Sequence, residues 1–341
     1  MSDVVAQWLP RLEEFLFEHG LLAVQIFLVV GGYLNAKSWV RALSKAEFRL
    51  FTSLLTRYQR LVVPLLVALS FTVMMTAIVR PYFDHSSLSD VPTLKQIVAH
   101  IFLLQDVLYL EAFSAGVWYV AIDFQLFAMA IVCAWLAHAW QTRSNKGSAI
   151  RKALGLWMLL TLSSMFVWNL NPLDEIWGTY FFSAYGLGLC VGCWRYSGVK
   201  ISHATLGLSI FILGVVATAY QPRVRLLVAI ATAVLLAWYE ATGCKTIGAI
   251  KQRWIQELSN ASYAIFLIHF GVSLGVSALI FNFWSENIPM NAVGLIISFV
   301  LSVFLGRQLH RHIETQEATW KRWLQWVATF VATCMLVQLL G

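Results

Sequence analysis

Ten apolar runs, most of them close to twenty residues long, dominate this chain. They cover approximately 20–36, 61–79, 116–140, 153–170, 177–194, 202–220, 224–241, 262–283, 290–309 and 323–340. A helix needs about 20 mostly apolar residues to cross the hydrocarbon core of a bilayer. Backbone groups in hydrocarbon must be bonded within their own segment, so these runs predict helices. A further stretch, 97–110, is short and interrupted by Asp106 and Glu111. It predicts a re-entrant or interfacial helix. The composition agrees: 59% of the residues are hydrophobic and only 12% are charged. Soluble domains carry about 25% charged residues, so a water-soluble globule is excluded. The predicted fold class is all-α, a polytopic transmembrane helix bundle of about ten spans plus one short re-entrant or interfacial helix. A single transmembrane domain is expected over 1–341.

The basic residues set the expected topology. Alternate loops hold Lys37, Arg41, Lys45, Arg49, Arg57 and Arg60; then Arg143, Lys146, Arg151 and Lys152; then Arg195 and Lys200; then Lys245, Lys251 and Arg253; then Arg307, Arg311, Lys321 and Arg322. That is 19 of the 24 Lys and Arg. The opposite side has only Arg11, Arg80, Lys95, Arg223 and Arg225, and it carries 11 of the 17 acids. Basic loops stay on the cytoplasmic side, so the 19-residue side is expected to be cytoplasmic. The net charge of +7 is thus a topology signal, and no nucleic-acid partner is expected. This orientation puts the N-terminus outside. One additional upstream span would return it to the cytoplasm.

Charges at membrane depth are costly, so each is a functional hypothesis by default. Asp123 lies in GVWYVAIDFQLF, with Gln125 two residues on. It reads as a polar wall of a substrate cavity or as a helix-packing carboxylate. Arg57 and Arg60, in LLTRYQRLVVPLL, stand three apart and so share a helical face. Two planar forks suit phosphate groups, although anchoring at the membrane surface would also place cations here. His19 opens the first run and reads as a general base or as an interfacial helix cap. Gly31, Gly32 and Tyr33 in that run permit close helix approach. His269, in LSNASYAIFLIHF, reads as catalytic or as a structural hydrogen-bonding residue. His310 and Glu314 share a face, but His312 points elsewhere, so no metal site is expected. Cys190 and Cys193 have redox spacing, yet their run YGLGLCVGCW favours packing; Cys244 sits in a basic loop. No phosphate loop, dinucleotide fingerprint or nucleophile elbow is present. Any chemistry must come from residues projecting between helices.

Five segments, in order from about residue 20 to 320, resemble the membrane-bound acyltransferase 3 family. AVQIFLVVGGYL resembles the family's VDxFFxxSGFL, with Gly32 and Tyr33 on its Gly-aromatic pair and Gly31 in place of the usual Ser. RYQRLVVP resembles its R-x-x-R-x-x-P element. VWYVAIDFQLF is similar to WSLSVEIQFY, with Trp118 matched and Asp123 replacing the usual Glu. LSNASYAIFLIHF is similar to LGKISYSLYLLHF, with Ser262, Tyr263 and His269 matched. RHIETQ resembles xxIExP, with Glu314 matched and the Pro missing.

The resemblance implies acyl transfer with no permanently bound cofactor. Acyl-CoA, as acetyl-CoA, would be the cytoplasmic co-substrate, and a hydroxyl of a cell-surface or lipid-linked glycan the acceptor. It implies a multi-pass protein of the bacterial inner membrane. Arg57 and Arg60 would hold the coenzyme A phosphates; His19, Asp123 and His269 would be catalytic; Trp118, Gln125, Tyr263 and Glu314 would line the substrate cavity. The family begins with one more helix, which carries its key histidine. This chain is expected to lack that helix, either because its start is truncated or because His19 serves instead. Two other readings remain open: a proton-coupled transporter or flippase using Asp123 and His269, and a non-catalytic relative of the enzyme.

Overall fold

A computed structural model describes residue 7 and residues 10–45, 47–82, 85–144, 147–198, 200–243 and 252–340, without the side chains of residues 13 and 17. Cys244 and the loop cations Lys146, Lys245 and Lys251 lie outside the described residues. Twelve α-helices are present among the described residues: α1 (Pro10–His19), α2 (Leu22–Leu43), α3 (Leu50–Val79), α4 (Leu94–Ile101), α5 (Val117–Ser144), α6 (Ala149–Phe166), α7 (Gly178–Trp194), α8 (His203–Tyr220), α9 (Val224–Thr242), α10 (Arg253–Trp284), α11 (Ile288–Leu309) and α12 (Trp320–Leu340). No strand occurs among those residues. The chain is a helical, multi-pass membrane protein.

Among the described residues, eight helices are long and apolar enough to cross a membrane: α3, α5, α6 with its following 3-10 turn, α8, α9, α10, α11 with its terminal π turn, and α12. The apolar runs 20–36 and 177–194 predict two more spans, at α2 and α7. Both form, but α7 has 17 residues. The other, α2, carries Gln25, Asn35, Lys37 and Arg41 along its 22 residues. On α8 the exposed residues include Leu208, Phe211, Ile212, Val215 and Val216, and on α11 they include Ile296, Phe299, Val300 and Phe304. Contiguous apolar surface of that extent suits hydrocarbon and not water.

The described residues fall into two compact units. The first comprises residues 1–17, 55–121 and 250–341. Here α3 and α10 lie side by side, with Tyr263 against Leu61 near one end and Ala278 against Val79 near the other. Residue numbers rise together along both helices, so the pair is parallel. Helix α4 begins with a capping box: the Thr93 hydroxyl accepts from the Gln96 amide, and the Gln96 side chain accepts from the Thr93 amide. Its eight residues rise only about 12 Å, too little to cross a bilayer. His100 locks the segment that follows. Its Nδ1–H donates to the Gln96 carbonyl (2.8 Å), and Nε2 accepts from the Phe113 amide (3.1 Å). Its ring stacks on Phe113 at 4.2 Å. Phe113 meets Phe330 of α12 edge-on, and Gln338 of α12 donates to the Pro92 carbonyl. Burial holds the Asp106 carboxyl above the usual carboxylate range, against the opposing effect of its bond from Gln105 (2.6 Å).

The second unit comprises residues 18–54 and 122–249. At its centre stands α7, which is apolar all round and buried along nearly its whole length. It packs against α2, α6 and α9. The α2–α7 crossing brings backbone against backbone. A Cβ on Gly188 would lie 1.9 Å from the Val29 carbonyl oxygen, and one on Gly32 would lie 2.1 Å from that of Tyr185. Only glycine fits at either place. Gly31 has nothing within 4 Å of its Cβ position, so Gly32 alone of the pair makes this approach. Cys190 and Cys193 are buried free thiols, and the Cys193 Sγ–H points to the Ala36 carbonyl.

Candidate functional site

The best-defined candidate site lies in the first unit, around one turn of α3. Arg57 is half-buried and Arg60 is exposed. Tyr58, between them, donates its hydroxyl to the Ile101 carbonyl at the end of α4 (2.5 Å). One residue beyond Arg60, the Leu61 carbonyl accepts the Tyr263 hydroxyl of α10 (2.8 Å). Pro64 follows in the same helix. Proline has no N–H, so the Arg60 carbonyl loses its ordinary helical donor. The arginine turn therefore sits where α3 is locally weakened, and two tyrosine hydroxyls tie it to its neighbours. The Tyr58 ring also meets the Trp323 ring of α12, with centroids 6.3 Å apart.

Six residues after Tyr263, His269 lies half-buried on α10, about 9 Å further along the axis. Its Nδ1 is 2.6 Å from the Phe266 carbonyl oxygen. A carbonyl can only accept, so Nδ1 carries a proton, and the tautomer this selects has its basic lone pair on Nε2. Phe266 is held in turn by the start of α5. A Cβ on Gly116 would lie 2.8 Å from its ring, and Tyr119 packs against it edge-on at 5.5 Å. Trp118 is half-buried and contacts Tyr119 edge-on. The segments holding Trp118 and His269 are therefore brought together through Phe266.

Glu314 is engaged locally. It stands on a π turn, His310–Glu314, and its Oε2 lies 2.9 Å from Nδ1 of His310. Nearby on the chain, Arg307 of α11 pairs with Glu257 of α10, which also accepts from Arg253.

The remaining sequence candidates belong to the second unit. His19 ends α1 and is half-buried; Asp123 is half-buried on α5. Gln125 has a structural task. Its Oε1 accepts the Gly178 N–H that opens α7 (2.7 Å), and its Nε2 donates to the Ile176 carbonyl (3.4 Å). The amide thus clamps the backbone on both sides of Trp177.

Two polar groupings in this unit escaped the sequence reading. Glu240 of α9 accepts from the Tyr33 hydroxyl of α2. A lone carboxylate closing an apolar run is the same signal that singled out Asp123. Arg225 pairs with Glu175 at 2.6 Å, while Arg223 donates to Asn169 and to the Met165 carbonyl. These arginines looked like minor members of the sparse basic side, and only the fold supplies their partners.

A family model described as an acyltransferase domain matches residues 3–307, most of the chain. No curated protein and no solved structure matches.

Proposed function

The chain belongs to the membrane acyltransferase 3 family, and we propose that it moves an acyl group, as acetyl, from cytoplasmic acyl-CoA to a glycan hydroxyl at the bacterial inner membrane. His269 carries this reading. A histidine whose Nδ1–H is fixed by a carbonyl presents Nε2 as a base, which acyl transfer to a hydroxyl requires.

The acceptor hydroxyl gives its proton to Nε2 as its oxygen attacks the thioester carbonyl. The new C–O bond forms in a tetrahedral intermediate. Collapse breaks the C–S bond, and the proton passes from His269 to the departing thiolate, releasing coenzyme A as the thiol. Arg57 and Arg60 hold the donor's phosphates, as paired guanidinium forks do well. The parallel α3–α10 pair supports this division of labour: the phosphate end and the base are separated by roughly two helical turns, and acyl-CoA carries its thioester on a long arm. Trp118 and Tyr263 would line the substrate cavity.

The test is acyl-CoA binding to the purified full chain in detergent. Replacing both arginines, R57Q/R60Q, is expected to abolish binding while membrane insertion and the helical circular-dichroism signal persist. Unchanged binding would remove the arginines from the donor site.

A further inference from the structure

Helix α12 adds two cations to the end of the first unit where the arginine turn lies. Its first turn reads Trp320-Lys321-Arg322-Trp323. Trp323 meets the ring of Tyr58, which sits between Arg57 and Arg60, at 6.3 Å. Trp320 packs edge-on against Trp323 at 5.3 Å and is half exposed. Lys321 is exposed, and Arg322 is half-buried with one bond to the Glu317 carbonyl (3.3 Å). The aromatic contact therefore sets Arg57, Arg60, Lys321 and Arg322 on neighbouring turns of two helices. All of α12 lies beyond the stretch that the family model matches.

The placement of Lys321 and Arg322 is electrostatically adverse. The N-terminal end of a helix is its positive pole, where a cation is destabilising. No acidic residue occupies that turn to offset it. Coenzyme A presents an anion in excess of what Arg57 and Arg60 can match. It has a diphosphate and, separately, a 3′-phosphate on its ribose. A phosphate monoester carries about −1.5 to −2 charge at neutral pH. Two arginine forks suit the diphosphate and leave the monoester uncompensated.

We propose that Lys321 and Arg322 bind the 3′-phosphate of the acyl-CoA donor, with the exposed indole of Trp320 as a stacking face for its adenine. The proposal rests on the Arg57–Arg60 turn being the donor site. Aromatic faces bind nucleobases by stacking, and adjacent cations favour the attached phosphate. The same cations would also attract the phosphate of an anionic lipid headgroup.

The experiment compares coenzyme A with 3′-dephospho-coenzyme A by titration calorimetry, using the full chain in a neutral detergent. The wild-type protein is expected to bind coenzyme A at least tenfold more tightly than the dephospho form. In K321Q/R322Q this preference is expected to fall to within twofold. Equal binding of both ligands by the wild type overturns the proposal. So does a preference that persists in the double variant. A variant that binds coenzyme A normally but loses affinity for phosphatidylglycerol vesicles assigns the cations to lipid instead. Should K321Q/R322Q fail to fold, K321Q alone, at an exposed position, is expected to lower the preference at least threefold, and an unchanged preference in it overturns the proposal. Failure of the wild type to bind either ligand overturns the donor-site reading itself, a different outcome from binding both equally.

Discussion

The Tyr263 hydroxyl donates to the Leu61 carbonyl, 2.8 Å away, one residue beyond Arg60 and three before Pro64. This bond joins α10 to the turn of α3 that presents the arginine pair. Removing the hydroxyl in Tyr263→Phe deletes one hydrogen bond, worth about 1 kcal/mol. Tyr263→Phe is expected to lower the melting temperature by a few degrees and to weaken coenzyme A binding severalfold. Thermal unfolding and titration on the same sample check both. A loss of stability with no loss of affinity would make Tyr263 a purely structural tie.

The α2–α7 crossing predicts opposite effects for two glycines. Gly188→Ala would put a methyl group 1.9 Å from the Val29 carbonyl oxygen and force the helices apart. A loss of about 3 kcal/mol or more, or no folded protein, is expected, since backbone movement is needed to relieve the clash. Gly31→Ala meets nothing within 4 Å and replaces a poor helix former. It is expected to stabilise the protein by about 0.5–1 kcal/mol. Denaturation in mixed micelles distinguishes the two.

How much of this was legible beforehand differs by type of feature. Apolar runs announced the helices, and even the short α4, because their length and composition act locally. The pairing of His310 with Glu314 could be read from their i, i+4 spacing. The backbone partners of Gln125 could not be read. A lone amide in an apolar run looks like a cavity group, and its partners at Ile176 and Gly178 lie more than fifty residues away. Helix α7 carries the same kind of lesson. An apolar sequence facing lipid and one buried among helices look alike, and only its close glycine contacts separate them.

Gln125→Ala tests the structural role directly. It leaves the buried Gly178 N–H without its acceptor, which costs about 1–3 kcal/mol. The expected outcome is reduced stability and faster hydrogen exchange at the start of α7. A variant as stable as the wild type, with acceptor use altered, would assign Gln125 to the substrate cavity.

His100 predicts the acid sensitivity of the first unit. Burial lowers its imidazole from 6.5 to about 4, outweighing the bond to the Gln96 carbonyl. The folded state therefore favours the neutral ring. Above pH about 6.5 neither state binds the proton and stability from this group is complete. As pH falls from about 6.5 to about 4, the unfolded chain takes up a proton that the folded chain refuses, and stability declines. Urea unfolding followed from pH 8 to pH 4 is expected to show that slope. A curve flat through this window in the wild type would contradict the buried neutral ring.

The central claim is that His269 is the base of an acyl-CoA-dependent transfer. Its most direct test is transfer of radiolabelled acetyl from acetyl-CoA to glycan in membranes of the source organism, with the wild type and His269→Gln expressed at equal levels. Glutamine keeps much of the size and polarity but cannot accept the proton. A fall in rate of about 100-fold or more is expected, the usual worth of a positioned general base, with coenzyme A binding retained. Transfer by His269→Gln at the wild-type rate would contradict it.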